Sequence, residues 1–270
     1  MNKQNLHTHS TFCDGADTPE EMVLSAIEKG FDSLGFSGHS YMSYSPMFRE
    51  KGDRTEEYKT EVKRLREKYK DQIEIYLGLE VEMYSDADMT GFDYLIGSAH
   101  YFKFGDKCVA FDLSADGVEK LIENRFSGNG MKFALAYYET LAKLPEYGKF
   151  DIIGHFDLAT KHNESRNLFD CNAKEYLGAA FETARALQGK IPFFEVNTGA
   201  IGRAYRTTPY PAISILKELK RLGFGAVITS DCHRKEALDC YYEESRELLR
   251  ECGFRERYIL TDNGFKAVEI

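Results

Sequence analysis

The sequence predicts an α/β fold in which parallel strands alternate with helices, and two observations support this prediction. Short apolar segments alternate with longer amphipathic segments along the 270 residues, which is the pattern of consecutive β/α units. Polar residues that can carry chemistry follow directly after the apolar segments, where parallel barrels gather their functional side chains. An open doubly wound sheet shows the same alternation, so the polar residues must separate the two architectures.

Seven strands are predicted in series. Each is a short apolar run bounded by turn residues, which is typical of a buried strand. The predicted strands lie at residues 3–9, 33–38, 73–82, 94–100, 151–155, 192–197 and 226–230. A further short strand near 258–261 is predicted to close the chain.

Helices are predicted between most of these strands from amphipathic periodicity and capping residues. The predicted helices lie at 19–29, 56–69, 115–125, 131–143, 173–187, 212–222 and 236–251. Thr18 and Glu21 can form a capping box, and Pro19 suits the first helical position. Asn172 is the predicted N-cap of the fifth helix, with Glu175 three residues later.

Composition and charge exclude several classes of protein. The hydrophobic share of 43% is too high for a disordered chain, and no run approaches the ~18 apolar residues of a membrane span. The 35 Lys and Arg against 44 Asp and Glu give a net charge of −9, which argues against non-specific nucleic-acid binding. No apolar signal region follows the first residues, and the six cysteines form no Cys-x-x-Cys pair. We therefore expect one cytoplasmic domain over residues 1–270.

The histidines indicate where the chemistry lies. Six of the seven are at or just after the end of a predicted strand. They are His7, His9, His39, His100, His155 and His233. Glu80 and Asp231 lie in equivalent positions, whereas His162 lies outside any strand end and is not predicted as a ligand. A ring of strand-end ligands favours a closed barrel, since an open sheet would spread them along a crevice.

Two pairs of these residues have the spacing of neighbours on one side of a strand. The pairs His7 and His9, and Asp231 and His233, are each separated by one residue, so both members can face one site. Imidazole suits Zn, Fe and Mn, and a carboxylate can bridge two ions. A set without cysteine ligands is typical of a catalytic centre, because structural zinc sites usually use thiolates. Adjacent ions can activate water and clamp a phosphate.

Seven short motifs occur in order over residues 5–235. They read Asn-Leu-His-Thr-His-Ser at 5–10 with Asp-Gly at 14–15, Phe-Ser-Gly-His at 36–39, Gly-Leu-Glu at 78–80, Gly-Ser-Ala-His at 97–100, Gly-His-Phe-Asp at 154–157, Glu-Val-Asn-Thr at 195–198 and Thr-Ser-Asp-Cys-His at 229–233. In this order they resemble the motifs of the PHP superfamily, which is named for polymerase and histidinol phosphatase. The compact length resembles the stand-alone histidinol-phosphate phosphatases rather than a polymerase subunit.

The resemblance implies a distorted (β/α)7 TIM-like barrel whose metal site lies at the carboxyl ends of the strands. It also implies three divalent metal ions, which the donor set would accept as Zn, Fe or Mn. By similarity the ligand sets are His7, His9, Glu80 and Asp231; Glu80, His100 and His155; and Asp14, His39 and His233. Asp14 enters only through the resemblance, because a turn aspartate before Gly15 would otherwise be the expectation.

The function implied is hydrolysis of a small phosphate monoester, with histidinol phosphate as the leading substrate in histidine biosynthesis. Glu80 would bridge two ions, Asp231 would accept a proton from the attacking water, and His233 or a water would protonate the leaving group. One alternative is a PHP phosphoesterase acting on nucleotides or another small ester. A second alternative is a PHP domain that binds metal without turnover, although all nine proposed ligands are present.

Candidates for binding the substrate follow the fifth and sixth strands. Arg203 is the first choice for the phosphate and Arg206 the second, because a guanidinium can bind two phosphate oxygens at once. Lys161 lies near a position where related phosphatases carry a basic residue.

Three further expectations concern neighbours of the proposed ligands. Glu82 shares the strand face of Glu80 one step further out. Asp157 can orient His155, or it can be a cap or a surface carboxylate. The segment 40–54 is rich in Tyr, Met and Phe, including Met47 and Phe48, and is expected to form either a roof over the site or a packed surface loop.

Overall fold

A computed structural model describes residues 2–45 and 52–270, and its central feature is a parallel sheet of seven strands. The strands are β1 Gln4–Asn5, β2 Ser33–Phe36, β3 Glu74–Glu82, β4 Tyr94–Ser98, β7 Ile152–Ile153, β8 Phe193–Asn197 and β9 Gly225–Thr229. They pair in that order, and every pairing between neighbours is parallel. The α/β prediction is therefore confirmed, with strands shorter than the apolar runs suggested.

The two edges of this sheet approach each other, so it forms a nearly closed barrel. Thr8, just after β1, forms a parallel bridge with Cys232, just after β9. The amide of His9 donates to the carbonyl of Cys232 at 3.0 Å, and the amide of Cys232 donates to the carbonyl of His7 at 3.3 Å. This closure at the carboxyl ends agrees with the predicted distorted (β/α)7 barrel.

Helices surround the barrel in the described residues. They are α1 Pro19–Glu28, α2 Thr55–Tyr69, α3 Ala115–Phe126, α4 Gly130–Leu141, α5 Asn163–Arg166, α6 Lys174–Leu187, α7 Gly199–Gly202, α8 Ile213–Arg221 and α9 Tyr242–Glu251. The capping box predicted for α1 is present: the amide of Glu21 donates to Thr18 Oγ1 at 3.3 Å, and the amide of Thr18 donates to Glu21 Oε2 at 2.9 Å. None of these described helices has the length and apolar composition needed to cross a membrane.

Two predictions about helices were wrong. Asn172 does not cap α6, because the cap position is Ala173 and the amide of Asn172 instead donates to Asp170 Oδ1 at 2.8 Å. The predicted helix at 236–251 is divided into a 3-10 turn at Lys235–Ala237 and α9. Tyr241, with a φ of 56°, separates the two, because a left-handed residue cannot continue a right-handed helix.

Two antiparallel hairpins were not predicted as such, although the short strand predicted near 258–261 is confirmed as one strand of the second hairpin. One consists of β5 Tyr101–Phe104 and β6 Lys107–Ala110, and the other of β10 Glu256–Thr261 and β11 Gly264–Glu269. The second covers the amino-terminal end of the barrel. There the side chain of Gln4 donates to the carbonyl of Leu260 at 2.9 Å and accepts from its amide at 2.7 Å.

The barrel interior changes from apolar to polar along its axis. Its amino-terminal half is filled by a small core of residues from around the sheet, together with the covering hairpin. The members are Leu6, Tyr76, Tyr94, Ile96, Ile152, Val227 and Leu260. Further along these strands the same face turns polar, as in the step from Val227 to Thr229 and Asp231 and from Ile96 to Ser98 and His100. This gradient places the buried charges at the carboxyl ends of the strands.

Candidate metal centre

All nine predicted ligands lie together at the carboxyl-terminal end of the barrel. Eight of them lie on or just after a strand of the main sheet, and the loop that follows β1 carries Asp14. The ligands are His7, His9, Asp14, His39, Glu80, His100, His155, Asp231 and His233. Glu80 is central to the group, because its two carboxylate oxygens face different sets of imidazoles.

The first set surrounds one carboxylate oxygen of Glu80. Glu80 Oε2 lies 3.4 Å from His7 Nε2 and 3.5 Å from His9 Nε2. Asp231 Oδ1 lies 3.2 Å from His9 Nε2 and 3.6 Å from His7 Nε2. These four side chains thus point one donor atom each at a common centre.

The second set surrounds the other oxygen of Glu80. Glu80 Oε1 lies 3.1 Å from His155 Nε2 and 3.4 Å from His100 Nε2. The two imidazole nitrogens are 3.1 Å apart. Glu80 therefore joins the first set to the second.

The third set is built around Asp14. Asp14 Oδ2 lies 3.2 Å from His233 Nε2, and Asp14 Oδ1 lies 3.6 Å from His39 Nε2. His9 is close enough to be grouped with these three as well. His39 also reaches Glu80, with Nδ1 2.8 Å from Oε2, so the sets share edges.

These distances fit divalent metal ions. Four ligands at about 2.1 Å from a zinc ion in a tetrahedron are separated from one another by about 3.4 Å. His7 Nε2 and His9 Nε2 are buried and have no hydrogen-bond partner among the described residues, although buried polar atoms are normally paired. The donor set of imidazoles and carboxylates therefore suits Zn, Fe or Mn, and its orphaned atoms point where a cation would sit.

The pKa values of the clustered residues also indicate a site that attracts positive charge. Burial disfavours ionised Glu80, but His39, His7 and His100 outweigh it and hold the pKa of Glu80 well below its usual value. Burial likewise opposes protonation of His7, yet the carboxylates of Glu195, Asp231 and Glu80 together raise its pKa. In the absence of metal the carboxylates thus retain protons on the cluster, and metal binding would release them.

His9 behaves in the opposite way. Burial and the neighbouring imidazoles of His233 and His39 lower the pKa of His9 to about 3. The ring is therefore neutral near pH 7, which is the form that ligates a metal. Its other nitrogen, Nδ1, lies 3.3 Å from Cys13 Sγ. The buried Cys13 therefore packs against a proposed ligand.

Glu195 is a functional candidate that the sequence reasoning passed over. Its Oε2 accepts from His7 Nδ1 at 2.8 Å, which leaves Nε2 of His7 free to face the centre. Its Oε1 accepts from the amide of His155 at 2.6 Å and from Asn197 Nδ2 at 2.7 Å. The sequence signal that could have identified Glu195 is a charged residue within an otherwise apolar predicted strand.

Glu82 has the same relation to His100. One oxygen, Oε2, accepts from His100 Nδ1 at 3.1 Å and from the amide of His100 at 2.7 Å. It thus orients a proposed ligand from one step further along β3, while Glu80 faces the centre. Preference for Glu80 as the ligand therefore agrees with this geometry.

Asp157 acts as a helix cap in the structure. Its Oδ2 accepts from the amide of Ala212 at 3.0 Å, directly before α8, and His155 Nδ1 has no hydrogen-bond partner among the described residues. His162 lies apart from the centre, with Nε2 2.8 Å from the carbonyl of Leu113. Neither Asp157 nor His162 therefore belongs to the nine-residue cluster.

The three predicted substrate-binding cations lie in different places. Arg203 touches the cluster: its Nη2 is 3.0 Å from Asp231 Oδ2, and its Nη1 is 2.8 Å from His233 Nδ1. Lys161 lies further out and donates to Asp112 Oδ1 at 2.6 Å. Arg206 is buried against the ring of Tyr210 at 4.5 Å and forms no hydrogen bond or ion pair with the nine ligands.

The predicted roof is only partly described. Met47 and Phe48 lie outside the described residues. Tyr44, which is described, packs edge-on against Tyr101 with ring centroids 5.3 Å apart. The β5–β6 hairpin thus supports the described part of this segment next to His100.

Comparisons with known proteins indicate the family of this chain. The model of the PHP domain family matches residues 5–199. The histidinol-phosphatase of Lactococcus lactis is 27% identical over 98% of this chain and 96% of its own length. A probable histidinol-phosphatase of Schizosaccharomyces pombe is 25% identical over 92% of this chain and 86% of its own length.

A solved structure has the same fold. It is the histidinol phosphate phosphatase of Lactococcus lactis in complex with zinc, L-histidinol and phosphate. It aligns with a TM-score of 0.76 and 21% identity over 98% of this chain and 99% of its own chain. Since the family model spans well over half of the sequence, this chain belongs to the PHP domain family.

Proposed function

We propose that this protein is a metal-dependent histidinol-phosphate phosphatase, which converts L-histidinol phosphate and water to L-histidinol and phosphate. The observation that carries the proposal is the buried ring of imidazole and carboxylate atoms, in which His7 and His9 each leave a nitrogen without a hydrogen-bond partner among the described residues. Membership of the PHP family and the relatives named histidinol-phosphatase support the substrate.

The donor atoms suit three divalent ions. His7, His9, Glu80 and Asp231 would hold the first, Glu80, His100 and His155 the second, and Asp14, His39 and His233 the third. When bound, such ions supply charge stabilisation for the phosphoryl group and lower the pKa of a bound water. The single carboxylate of Glu80 spans two of these sets, so it fixes their separation.

The protein side chains then position the substrate and move protons. Burial opposes ionisation of Asp231, but Arg203 and His7 hold its pKa well below the usual value. Asp231 is therefore a carboxylate near pH 7 and can accept a proton from the attacking water. Either His233, which is partly exposed beside Asp14, or a water molecule would protonate the leaving alkoxide. The water agrees better with His233 as a ligand, because Nε2 of His233 faces the third set and its Nδ1 faces Arg203.

Arg203 is the best placed of the three cations for the phosphate. Its guanidinium reaches both Asp231 and His233, on the side of the cluster where its side chain is 29% exposed. Two of its N–H groups can bind two phosphate oxygens together. Arg206 donates to Thr160 and Thr208 instead of to residues of the cluster, which argues for a supporting role.

A phosphate-release assay with metal-loaded protein tests the proposal. We expect hydrolysis of L-histidinol phosphate, and loss of both metal and activity in Glu80→Gln and Asp231→Asn, with exposed Glu182→Gln as the control. Normal metal content and full activity in Glu80→Gln would contradict it. Activity on nucleotides alone would support a different phosphoesterase, and bound metal without any turnover would indicate a non-catalytic domain.

A further inference from the structure

The substrate of the proposed function carries charges of both signs. Its phosphate is anionic, and its amine, on the carbon next to the ester carbon, is a cation near pH 7. A site that selects this ester therefore needs an anionic group close to the place where the phosphate binds. The inference below rests on the proposed function and concerns that group.

The carboxylates around the metal centre are almost all engaged. Asp14, Glu80 and Asp231 face the centre itself. Three others hold neighbours in place: Glu82 binds His100, Glu195 binds His7 and Asp157 caps α8. Among the described residues near the centre, this leaves Asp112 as the carboxylate whose side chain pairs only with a cation at the rim.

Asp112 lies at the mouth of the site. The amide of Phe111 donates to the carbonyl of His100 at 2.9 Å, which holds this segment beside a proposed metal ligand. The carboxylate of Asp112 is 31% exposed, and its Oδ1 is 2.6 Å from Lys161 Nζ. The ammonium of Lys161 also lies over the ring of Tyr205, 4.9 Å from its centroid.

Neighbouring cationic groups also favour the ionised form of Asp112. Burial opposes ionisation, but Lys161 and His100, with a smaller effect of Arg203, lower the pKa of Asp112 to about 2. The amide of Asp112 lies 3.5 Å from the carbonyl of His100, so this residue stands beside a proposed metal ligand. It is thus anionic and accessible where the organic part of a bound phosphate ester would emerge.

We propose that Asp112 binds the ammonium group of the substrate. The Asp112–Lys161 ion pair opens on binding: the substrate amine takes the place of Lys161, and the ammonium of Lys161 turns to the phosphate beside Arg203. One internal ion pair is replaced by two with the ligand, so no charge is left unpaired at the rim. A purely anionic ester cannot make this exchange and meets Asp112 as a repulsive charge.

The test compares two esters in the holoenzyme: L-histidinol phosphate and its deamino analogue. In the wild type we expect a higher kcat/KM for the ester with the amine. In Asp112→Asn the ratio of the two kcat/KM values should fall about 10- to 100-fold, because a neutral amide cannot pair with the ammonium. Asp106→Asn, an exposed residue in the β5–β6 turn, should keep the wild-type ratio.

A second variant distinguishes the role of Lys161 from that of Asp112. Lys161→Met should lower kcat/KM for both esters, because the phosphate is common to them. If Asp112→Asn lowers both esters equally, or neither, the inference is wrong while the proposed function stands. If the wild type releases phosphate from neither ester, the proposed function and this inference fail together.

Discussion

The second layer of carboxylates sets the orientation of the imidazoles at the scale of single residues. Glu195 accepts four hydrogen bonds, from His7 Nδ1, the His155 amide, Asn197 Nδ2 and Thr229 Oγ1, at 2.6–2.9 Å. The bond to His7 fixes its tautomer, so Nε2 keeps its lone pair for the metal. A carboxylate is required because all four partners are donors.

Replacing Glu195 should therefore weaken metal binding without touching a ligand. In Glu195→Gln the amide nitrogen must face one pair of donors, and we expect a 10- to 100-fold loss of metal affinity or kcat/KM. Metal content after dialysis against a graded chelator measures the effect, with exposed Glu182→Gln as the matched control. Unchanged affinity in Glu195→Gln would show that His7 is oriented by other contacts.

Arg203 offers a second test at this scale. Because its guanidinium is the cation next to the cluster, Arg203→Ala should lower kcat/KM on the order of 100-fold. Arg203→Lys should recover little, since an ammonium cannot bind two phosphate oxygens in the same fork geometry. Steady-state kinetics measure kcat/KM of these variants, with exposed Arg255→Ala as the control. A wild-type kcat/KM in Arg203→Ala would show that Arg203 does not bind the phosphate.

The sequence predicted the members of the centre better than their partners. Strand-end positions identify the six histidines because parallel strands deliver their last residues to one face. Asp14 lies in a loop whose course no periodicity predicts, so only the family resemblance suggested it. Glu195 was missed because a buried carboxylate reveals its role only through partners such as His7, which is 188 residues distant in the chain.

At the scale of elements, glycines in two neighbouring strands make room for an aromatic ring inside the barrel. A Cβ on Gly78 of β3 would lie 2.2 Å from Cζ of Tyr94, and one on Gly35 of β2 would lie 2.4 Å from its Oη. The hydroxyl of Tyr94 donates towards the carbonyls of Leu6 and Phe36, so it links adjacent strands from within. Both strands thus depend on the absence of a side chain.

Opposite outcomes are expected for two glycine-to-alanine changes. Gly78→Ala should destabilise the protein by about 1–3 kcal/mol, because the added methyl group overpacks a closed interior. Gly178→Ala, in α6 with open space around it, should stabilise by about 0.5–1 kcal/mol by reducing backbone freedom. Urea unfolding of both variants measures the difference, and equal effects would contradict this account of the Tyr94 pocket.

The elements themselves were predicted where local signals were strong. The capping box of Thr18 and Glu21 defines the start of α1 because both partners are local. The helix predicted at 236–251 was wrong because its periodicity continues across Tyr241, whose left-handed backbone is set by the fold. The hairpin of β10 and β11 depends on contacts with Gln4 at the other end of the chain, which no local pattern records.

Considered as a whole molecule, the metal centre joins segments from residue 7 to residue 233. Its carboxylates and imidazoles are largely buried, so without cations they confine many ionisable groups inside the barrel. Ions that bind only the folded state stabilise it by RT ln(1 + [L]/Kd), which is about 4 kcal/mol at a thousandfold excess over Kd. The centre should therefore act as a cross-link of the barrel as well as a catalyst.

Removal of the metal should lower thermal stability accordingly. For a domain of this size, about 4 kcal/mol corresponds to a fall in Tm on the order of 10 °C, restored by adding the ion back. Calorimetry of chelated and reloaded protein measures the shift, and Glu80→Gln, which lacks the carboxylate shared by two sets, should respond much less. A wild-type protein that loses its metal with no change in Tm would show that the barrel holds these charges in place unaided.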